Sequence, residues 1–360
     1  MRLTANKEPH PWGVFKISLY PHGDTPESLA QTLPLTRCRT EYHYLIILQY
    51  SHWLWQNTSY WDIVDRSMHQ QSTFSLKNKM LYQQWRDKKL TNYPCLIEEL
   101  MTNIEKPEQL SEYETNKILS TTARFNMAFY RIPKQKKPAK PSIHQLAKHC
   151  GLQSINHNIC ADPDSLTSLQ VTSRPGQHDY IPYTNKKLSW HTDGYYNSPA
   201  EQIHGMLLHC VQPAQQGGEN LLMDHDIAYI LLREADPAYI EALMHPEAFT
   251  IPANILNGEV IRPEQSGPVF SITPGGHLHM RYSARQRNVK WRDDPATRKA
   301  EQFLLDLWEQ DSPYKLRYTL QAGEGLICNN VLHCRTAFTD DYDGSQRLLY
   351  RGRYVDRVSN

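Results

Sequence analysis

Two histidines and an aspartate, far apart in the chain, constrain this sequence most. Trp190-His191-Thr192-Asp193 contains an H-x-D pair. Residues two apart on an extended segment project to one face, so an imidazole and a carboxylate there can share one ion. His333 ends a second apolar run, Val331-Leu332-His333, and can supply a third ligand if a barrel brings the two segments together. The pattern therefore predicts a metal site built from distant strands.

One H-x-D pair is weak by itself, because roughly one is expected by chance in a chain with 17 histidines. A second pair, His22-Gly23-Asp24, lies in a Pro/Gly turn without comparable partners. The pair at 191–193 differs because His333 and then Arg347 follow it. Two histidines and one carboxylate leave three positions of an octahedral ion open, and a 2-oxo acid can fill two of them. The planar fork of Arg347 suits its far carboxylate. The residues thus predict a non-haem Fe(II) oxygenase that consumes 2-oxoglutarate and O2.

Composition argues against several other classes of protein. The chain has 360 residues and a net charge of +1, so no global field points to nucleic acid or an anionic membrane. No two of the seven cysteines form a CxxC pair, which argues against a four-cysteine zinc site and favours a reducing compartment. The apolar run Tyr44–Leu48 is too short to span a bilayer. Without a signal-peptide pattern at its start, the protein is expected to be cytoplasmic.

Short predicted strands separated by turn-forming residues, together with a few covering helices, predict a mostly β protein with a jelly-roll core. We expect residues 1–109 to form an N-terminal mixed or helical region of unknown role, and residues 110–360 the catalytic domain. The predicted helices are Leu110–Asn126, Ser142–Cys150, one capped by Asp226, and two that start at Asp236-Pro237 and Asp294-Pro295. The predicted strands are Met127–Ile132, Gly205–Val211, Tyr314–Leu320, Leu326–Cys328 and Leu348–Tyr350.

Five motifs in a fixed order carry a family resemblance. They are Tyr183-Thr184-Asn185-Lys186-Lys187-Leu188-Ser189-Trp190-His191-Thr192-Asp193, Leu208-His209-Cys210, Gly217-Gly218-Glu219-Asn220, Val331-Leu332-His333-Cys334-Arg335 and Arg347-Leu348-Leu349. On these motifs, residues 180 to 357 resemble the taurine dioxygenase (TauD/TfdA) family of Fe(II)/2-oxoglutarate oxygenases, locally closest to the γ-butyrobetaine and trimethyllysine hydroxylases. The resemblance implies a double-stranded β-helix, iron on His191, Asp193 and His333, and 2-oxoglutarate on Arg347.

The resemblance also implies contacts for the cosubstrate and substrate. Asn220 falls where relatives place a polar residue on the cosubstrate, and Arg351 where the taurine enzyme binds its substrate's anionic group; a structural ion pair is the alternative for Arg351. Tyr183 falls at a cation-binding aromatic cage position, with core packing as its alternative. Tyr195 could add a wall. From the sequence, Arg281 could also reach the substrate, unless it is held in a salt bridge.

Departures from the family leave the substrate open. Asn329-Asn330 replaces the usual Asp-Asn before the distal histidine, and Arg351 and Arg353 bring positive charge near a site that would otherwise take a cation. A small betaine or amino acid, a sulfonate and another small anion all remain, with hydroxylation, desaturation or cleavage as the outcome. A zinc hydrolase on the same three ligands and a non-catalytic binding barrel are the rival functions. The chain could also form a homo-oligomer.

Overall fold

The computed structural model describes residues 73–133, 139–157, 162, 164, 166–173, 180–256, 258–340 and 346–359. Most of its strands pair antiparallel, and two sheets dominate the described part. The strands are β1 (Met101–Asn103), β2 (Met127–Arg131), β3 (Thr167–Leu169), β4 (Leu188–His191), β5 (Gly205–Gln212), β6 (Gln216–Gly217), β7 (Asn220–Met223), β8 (Phe249–Ile251), β9 (Asn254–Leu256), β10 (Glu259–Arg262), β11 (Gln265–Gly267), β12 (Phe270–Ile272), β13 (Leu278–Met280), β14 (Lys290–Trp291), β15 (Leu316–Tyr318), β16 (Glu324–Cys328), β17 (Leu332–Arg335), β18 (Phe338–Thr339) and β19 (Leu348–Tyr354).

The larger sheet has six strands in the order β1-β2-β16-β5-β19-β3, and the smaller has four in the order β15-β7-β17-β4. Within the larger sheet β1 and β2 run parallel, whereas the other neighbours are antiparallel. One apolar cluster joins Leu208 and Leu326 of the larger sheet to Leu222 of the smaller sheet. The two sheets therefore pack on each other and bury a shared core. The sequence prediction is confirmed in its coarser part: the described chain is a mixed, sheet-rich structure with helices beside the sheets.

Side chains cap the starts of all the described α-helices except Lys140–His149. The helices are α1 (Lys79–Leu90), α2 (Glu112–Phe125), α3 (Lys140–His149), α4 (His225–Ala235), α5 (Pro237–Leu243) and α6 (Pro295–Glu309). Ser111 and Glu114 form a reciprocal capping box at the start of α2. Asp236 and Asp294 accept backbone N–H groups at the starts of α5 and α6, as their Asp-Pro pairs predicted.

The structure corrects the predicted N-cap of α4. Asp224, not Asp226, is the cap, and its Oδ1 accepts the backbone N–H of Asp226 at 2.9 Å. Asp226 lies in the first turn, where its carboxylate binds the ammonium of Lys89 at 2.6 Å, and Asp224 binds the same ammonium at 2.9 Å. The sequence could not show this, because Lys89 lies more than 130 residues away and nothing local marks it as buried.

Residues 73–109 pack against the rest of the described chain. Phe74 packs edge-on against Tyr229 of α4, with ring centroids 5.6 Å apart, and Lys89 of α1 is buried on Asp224. The predicted domain boundary at 109 stays a prediction, because residues 1–72 lie outside the described residues. In the described part no helix is both long and apolar enough to cross a membrane, and the five cysteines there are free.

Gly325 occupies a central position of β16, between β2 and β5, that has no room for a side chain. A Cβ there would overlap the Tyr130 ring and lie 2.5 Å from the Leu208 carbonyl oxygen. We expect Gly325→Ala to lower the free energy of unfolding by about 2 kcal/mol or more, because neither neighbour can retreat without disturbing strand pairing. Urea denaturation measures this. Gly275→Ala is the matched control, since its Cβ would meet only ordinary contacts at an exposed site, and an equal loss in both variants would contradict the explanation.

His209 makes the stability depend on pH. It is buried beside the Tyr130 hydroxyl, 3.1 Å from Nδ1, and burial lowers the pKa of His209 to about 4. The unfolded chain takes up this proton near pH 6.5, so stability is full above pH 6.5 and is lost as the pH falls towards 4, by roughly 3 kcal/mol at most. We expect His209→Phe to show a shallower loss of stability between pH 7 and 5 in urea titrations. An unchanged slope, matching that of an exposed His149→Phe control, would contradict this.

Candidate active site

The site begins with the pairing of β4 and β17. His333 lies directly opposite His191 in the antiparallel register, and their ring centroids are 4.3 Å apart. Asp193 lies in the turn after β4, and Gly194, the next residue, has a φ of +66°. The Oδ1 atom of Asp193 is 3.7 Å from Nε2 of His191. One ligand atom from each of the three residues lies within 4.8 Å of the others. The structure thus brings together the three residues that the sequence singled out.

Both imidazoles are held in a fixed orientation. Nδ1 of His191 lies 2.8 Å from the Ser189 carbonyl oxygen, and Nδ1 of His333 lies 2.9 Å from that of Val331. A carbonyl can only accept, so each Nδ1 carries the proton and each Nε2 keeps its lone pair. Burial lowers the pKa of His333 to about 4. Hence His333 is a neutral ligand group at ordinary pH.

The Asp193 carboxylate is fully buried yet ionised. Burial by itself would raise the pKa of Asp193, but the charge of Arg351 outweighs it and holds this pKa well below its usual range. Arg351 Nη1 lies 3.3 Å from Asp193 Oδ1. Asp193 Oδ2 has no hydrogen-bond partner among the described residues, which suits a donor atom directed at a cation. Arg351 is therefore in the ion pair that the sequence left open as its alternative, and it also lines the cavity described below.

Arg347 and Asn220 line one small cavity together with Gly217 and Gly218. Arg347 is buried, and its guanidinium lies 4.9 Å from the centre of the Phe338 ring. Burial lowers the pKa of Arg347, since a charged group is costly in these surroundings. Within the described part of the chain no carboxylate pairs with it. A buried, unneutralised guanidinium of this kind suits an anionic ligand.

A larger cavity, of about 700 Å³, opens beside the three ligands. His191 and Asp193 are part of its wall, and so are the predicted substrate residues Tyr183 and Tyr195. Among the described residues, its lining carries five arginines against two carboxylates, those of Asp193 and Glu201. The arginines are Arg262, Arg285, Arg287, Arg351 and Arg353.

Arg281 is a correction to the predicted substrate contacts. Its guanidinium donates to the carbonyl oxygens of Tyr195 at 2.7 Å, Phe249 at 3.0 Å and Gln265 at 2.8 Å. It is buried and does not belong to the cavity wall. With its donors used on backbone carbonyls, Arg281 fixes the loops behind the cavity, and we no longer place it in the substrate site.

Tyr196, Arg262 and Arg353 were missed as a unit by sequence reasoning. Both guanidiniums lie within 6 Å of the centre of the Tyr196 ring, and Arg353 Nη1 donates to the Tyr196 hydroxyl at 2.8 Å. These residues come from three distant segments, so no local pattern could have grouped them. The positive charge of Arg353 was the one available signal.

A second group of ligand-type residues converges at Asp224, His225 and Asp226. The Lys89 ammonium already bridges the two carboxylates and supplies the positive charge there. Asn126 donates to both aspartates as well, at 2.8 and 2.9 Å. This group is therefore a structural network rather than a metal site.

Comparison with known proteins decides the family. The family model described as "Taurine catabolism dioxygenase TauD, TfdA family" matches residues 141–353, more than half of the chain. The chain belongs to this family. A "Uridine-5'-phosphate dioxygenase" of Streptomyces sp is 31% identical over 208 residues, covering 54% of this chain and 71% of the relative. Another of that name, from Amycolatopsis sp, is 32% identical over 183 residues, 48% of this chain and 62% of the relative.

Solved structures share the fold at low sequence identity. The non-haem iron oxygenase OrfP in complex with Fe, succinate and (3S)-hydroxy-L-Arg has a TM-score of 0.53 at 16% identity, over 69% of this chain and 82% of that one. The same protein with Fe and α-ketoglutaric acid has a TM-score of 0.52 at 15% identity, over 69% and 81%. At this identity the likeness carries the fold alone.

Family membership fixes the class of reaction. The protein is an Fe(II)/2-oxoglutarate-dependent dioxygenase, with Fe(II), 2-oxoglutarate and O2 as its cofactor and cosubstrates. The zinc hydrolase and the non-catalytic barrel are set aside on this ground.

Proposed function

We propose that His191, Asp193 and His333 are the iron ligands of this dioxygenase. The observation that carries the proposal is the convergence of one ligand atom from each of two buried imidazoles and a buried carboxylate within 4.8 Å of one another. The two Nδ1–H···O=C bonds orient the rings, as outer hydrogen bonds commonly do for metal-ligating histidines. Bound Fe(II) supplies the oxidising chemistry with O2 and 2-oxoglutarate. The protein holds the ligands in place and brings the substrate to them.

The cosubstrate site follows from Arg347. We propose that its guanidinium binds the far carboxylate of 2-oxoglutarate, with Asn220 beside it in the same small cavity. Arg347 is buried and lies against the Phe338 ring, and low-dielectric surroundings of this kind strengthen a charge-assisted pair. The double-stranded β-helix expected for this family is consistent with the two packed sheets and is part of the proposal.

The substrate is proposed to be a small anion with a ring that can lie against tyrosine. Five arginines in the cavity wall would repel a quaternary ammonium, so the cation cage considered for Tyr183 is not retained. Tyr183 and Tyr195 instead offer flat surfaces to a ring. A cavity of about 700 Å³ suits a ligand of nucleotide size. The relatives named for uridine 5'-phosphate make a nucleoside monophosphate the first substrate to test.

The phosphate is assigned to the two arginines that flank Tyr196. Arg353 is buried and already oriented by bonds of 2.8 Å to the Tyr196 hydroxyl and to Asn156 Oδ1. Arg262 lies 5.6 Å from the centre of the same ring. Its Nη2 donates to the Pro252 carbonyl oxygen at 2.8 Å, but unlike Arg281 it belongs to the cavity wall. Two guanidiniums around one aromatic side chain match a doubly charged group better than a single carboxylate or sulfonate.

Removal of a metal ligand should abolish tight iron binding. We expect His333→Ala to weaken anaerobic Fe(II) binding by at least about 100-fold, since one of three protein bonds to the ion is lost. Equilibrium dialysis measures this. His279→Ala is the control, because His279 is equally buried but stands outside the three-ligand group. Wild-type iron affinity in His333→Ala would contradict the ligand assignment.

Loss of the Arg347 guanidinium should impair cosubstrate binding without releasing iron. We expect Arg347→Met to raise the KM for 2-oxoglutarate by at least about 100-fold, because a buried carboxylate would lose its counter-charge. Arg281→Met is the control, as an equally buried arginine whose donors go to backbone carbonyls. Succinate formation measures the KM. An unchanged KM in Arg347→Met, or an equal rise in both variants, would refute the role of Arg347.

Substrate charge should decide turnover. We expect uridine 5'-phosphate to stimulate succinate formation, and uridine and γ-butyrobetaine to give none above background, because only the first supplies a dianion to Arg262 and Arg353. Arg262→Ala should raise the KM for the nucleotide about 10-fold or more, whereas Arg298→Ala, at an exposed arginine, should not. Equal stimulation by uridine would contradict the phosphate assignment, and preference for a cation would contradict the anionic substrate.

A further inference from the structure

Asn330 contacts the backbone of a proposed metal ligand rather than the metal site itself. It lies between β16 and β17, at φ +51°, and its side chain is buried. Its Oδ1 accepts from the Asp193 N–H at 2.8 Å, and its Nδ2 donates to the Asp193 carbonyl at 2.9 Å. The amide therefore satisfies both backbone groups of Asp193, as a neighbouring strand would.

The same amide also joins the two ends of a loop. Nδ2 of Asn330 donates to the Ile203 carbonyl at 2.6 Å, so residues 193 and 203 are held at one point. A Cβ on Gly194 would overlap Ile203, which shows how closely these ends approach. The loop between them carries Tyr195 and Tyr196 of the cavity wall. One side chain thus fixes both Asp193 and part of the substrate wall.

The turn that presents Asn330 is itself anchored. Asn329 donates through Nδ2 to Asn126 Oδ1 at 3.0 Å and accepts the Val358 N–H at 3.0 Å. Its own N–H donates to the Asn126 carbonyl at 2.8 Å. His333 stands three residues after Asn330, with its Nδ1 donating to the carbonyl oxygen of Val331 in the same turn. The turn therefore sets His333 and, through Asn330, Asp193 relative to one rigid support.

From this geometry we propose that Asn330 is a positioning residue for metal binding. By fixing the peptide of Asp193 it aims the carboxylate at the point where the two Nε2 atoms meet. Asparagine suits the position, since it tolerates the left-handed backbone and offers both a donor and an acceptor. Aspartate would keep the acceptor but set a negative oxygen against the carbonyls of Asp193 and Ile203. The inference rests on the proposed role of Asp193 as a ligand.

The test is equilibrium binding of Co(II) to the full-length apoprotein, with the visible spectrum of bound Co(II) as a second readout. Asn330→Gly keeps the left-handed backbone and removes all three side-chain bonds, and Asn330→Asp keeps the size. We expect both to weaken Co(II) binding about 10- to 100-fold and to alter its spectrum. Asn92→Gly is the matched control, because Asn92 has the same φ of +51° at an exposed site, and it should bind Co(II) as the wild type does.

The outcomes separate this inference from the ligand assignment. If both Asn330 variants fold and bind Co(II) with wild-type affinity and spectrum, the positioning role is wrong. Weak Co(II) binding by Asp193→Ala in the same experiment would still support Asp193 as a metal ligand. Wild-type affinity in Asp193→Ala would instead refute Asp193 as a ligand. If Asn330→Gly does not fold, Asn330→Asp decides. Failure of both to fold, with Asn92→Gly melting as the wild type, would count against the proposal, because Asn330 would then serve the whole fold.

Discussion

The antiparallel pairing of β4 with β17 is the constraint on which the site depends. It sets His191 opposite His333, 142 positions apart in sequence, and so creates the point at which a third ligand can join. Backbone hydrogen bonds of the smaller sheet fix that register, and a slip of one residue would turn one imidazole to the other face. The metal site is therefore a property of the sheet, and packing of the two sheets supports it at a distance.

Hydrogen bonds to the backbone do the rest of the positioning. Carbonyl oxygens of Ser189 and Val331 orient the imidazoles, and the Asn330 side-chain amide hydrogen-bonds to the backbone of Asp193. Arg351 keeps the Asp193 carboxylate ionised despite its burial. Arg347 and the arginines of the cavity wall are placed where their positive charges can attract anionic ligands. A rigid ligand set of two imidazoles and one carboxylate thus stands beside a cationic cavity, and this contrast underlies the proposed preference for a phosphorylated substrate.

The sequence allowed us to predict those parts of the site that short local patterns indicate. The H-x-D pair, the apolar run before His333 and the following Arg347 mark strands and ligands within short segments, and Asp-Pro pairs mark the starts of two helices. It could not reach contacts between distant loops. Arg281 has the same local signature as a substrate arginine, yet three backbone carbonyls occupy its guanidinium. The grouping of Arg262 and Arg353 around Tyr196, and the choice of Asp224 as the helix cap, likewise depend on the folded structure alone.

An anaerobic crystal structure with Fe(II) and 2-oxoglutarate tests the central claim most directly. The account predicts one iron bonded to Nε2 of His191, a carboxylate oxygen of Asp193 and Nε2 of His333, with the far carboxylate of 2-oxoglutarate on the guanidinium of Arg347. Iron bound elsewhere, or held without one of these three side chains, would contradict it.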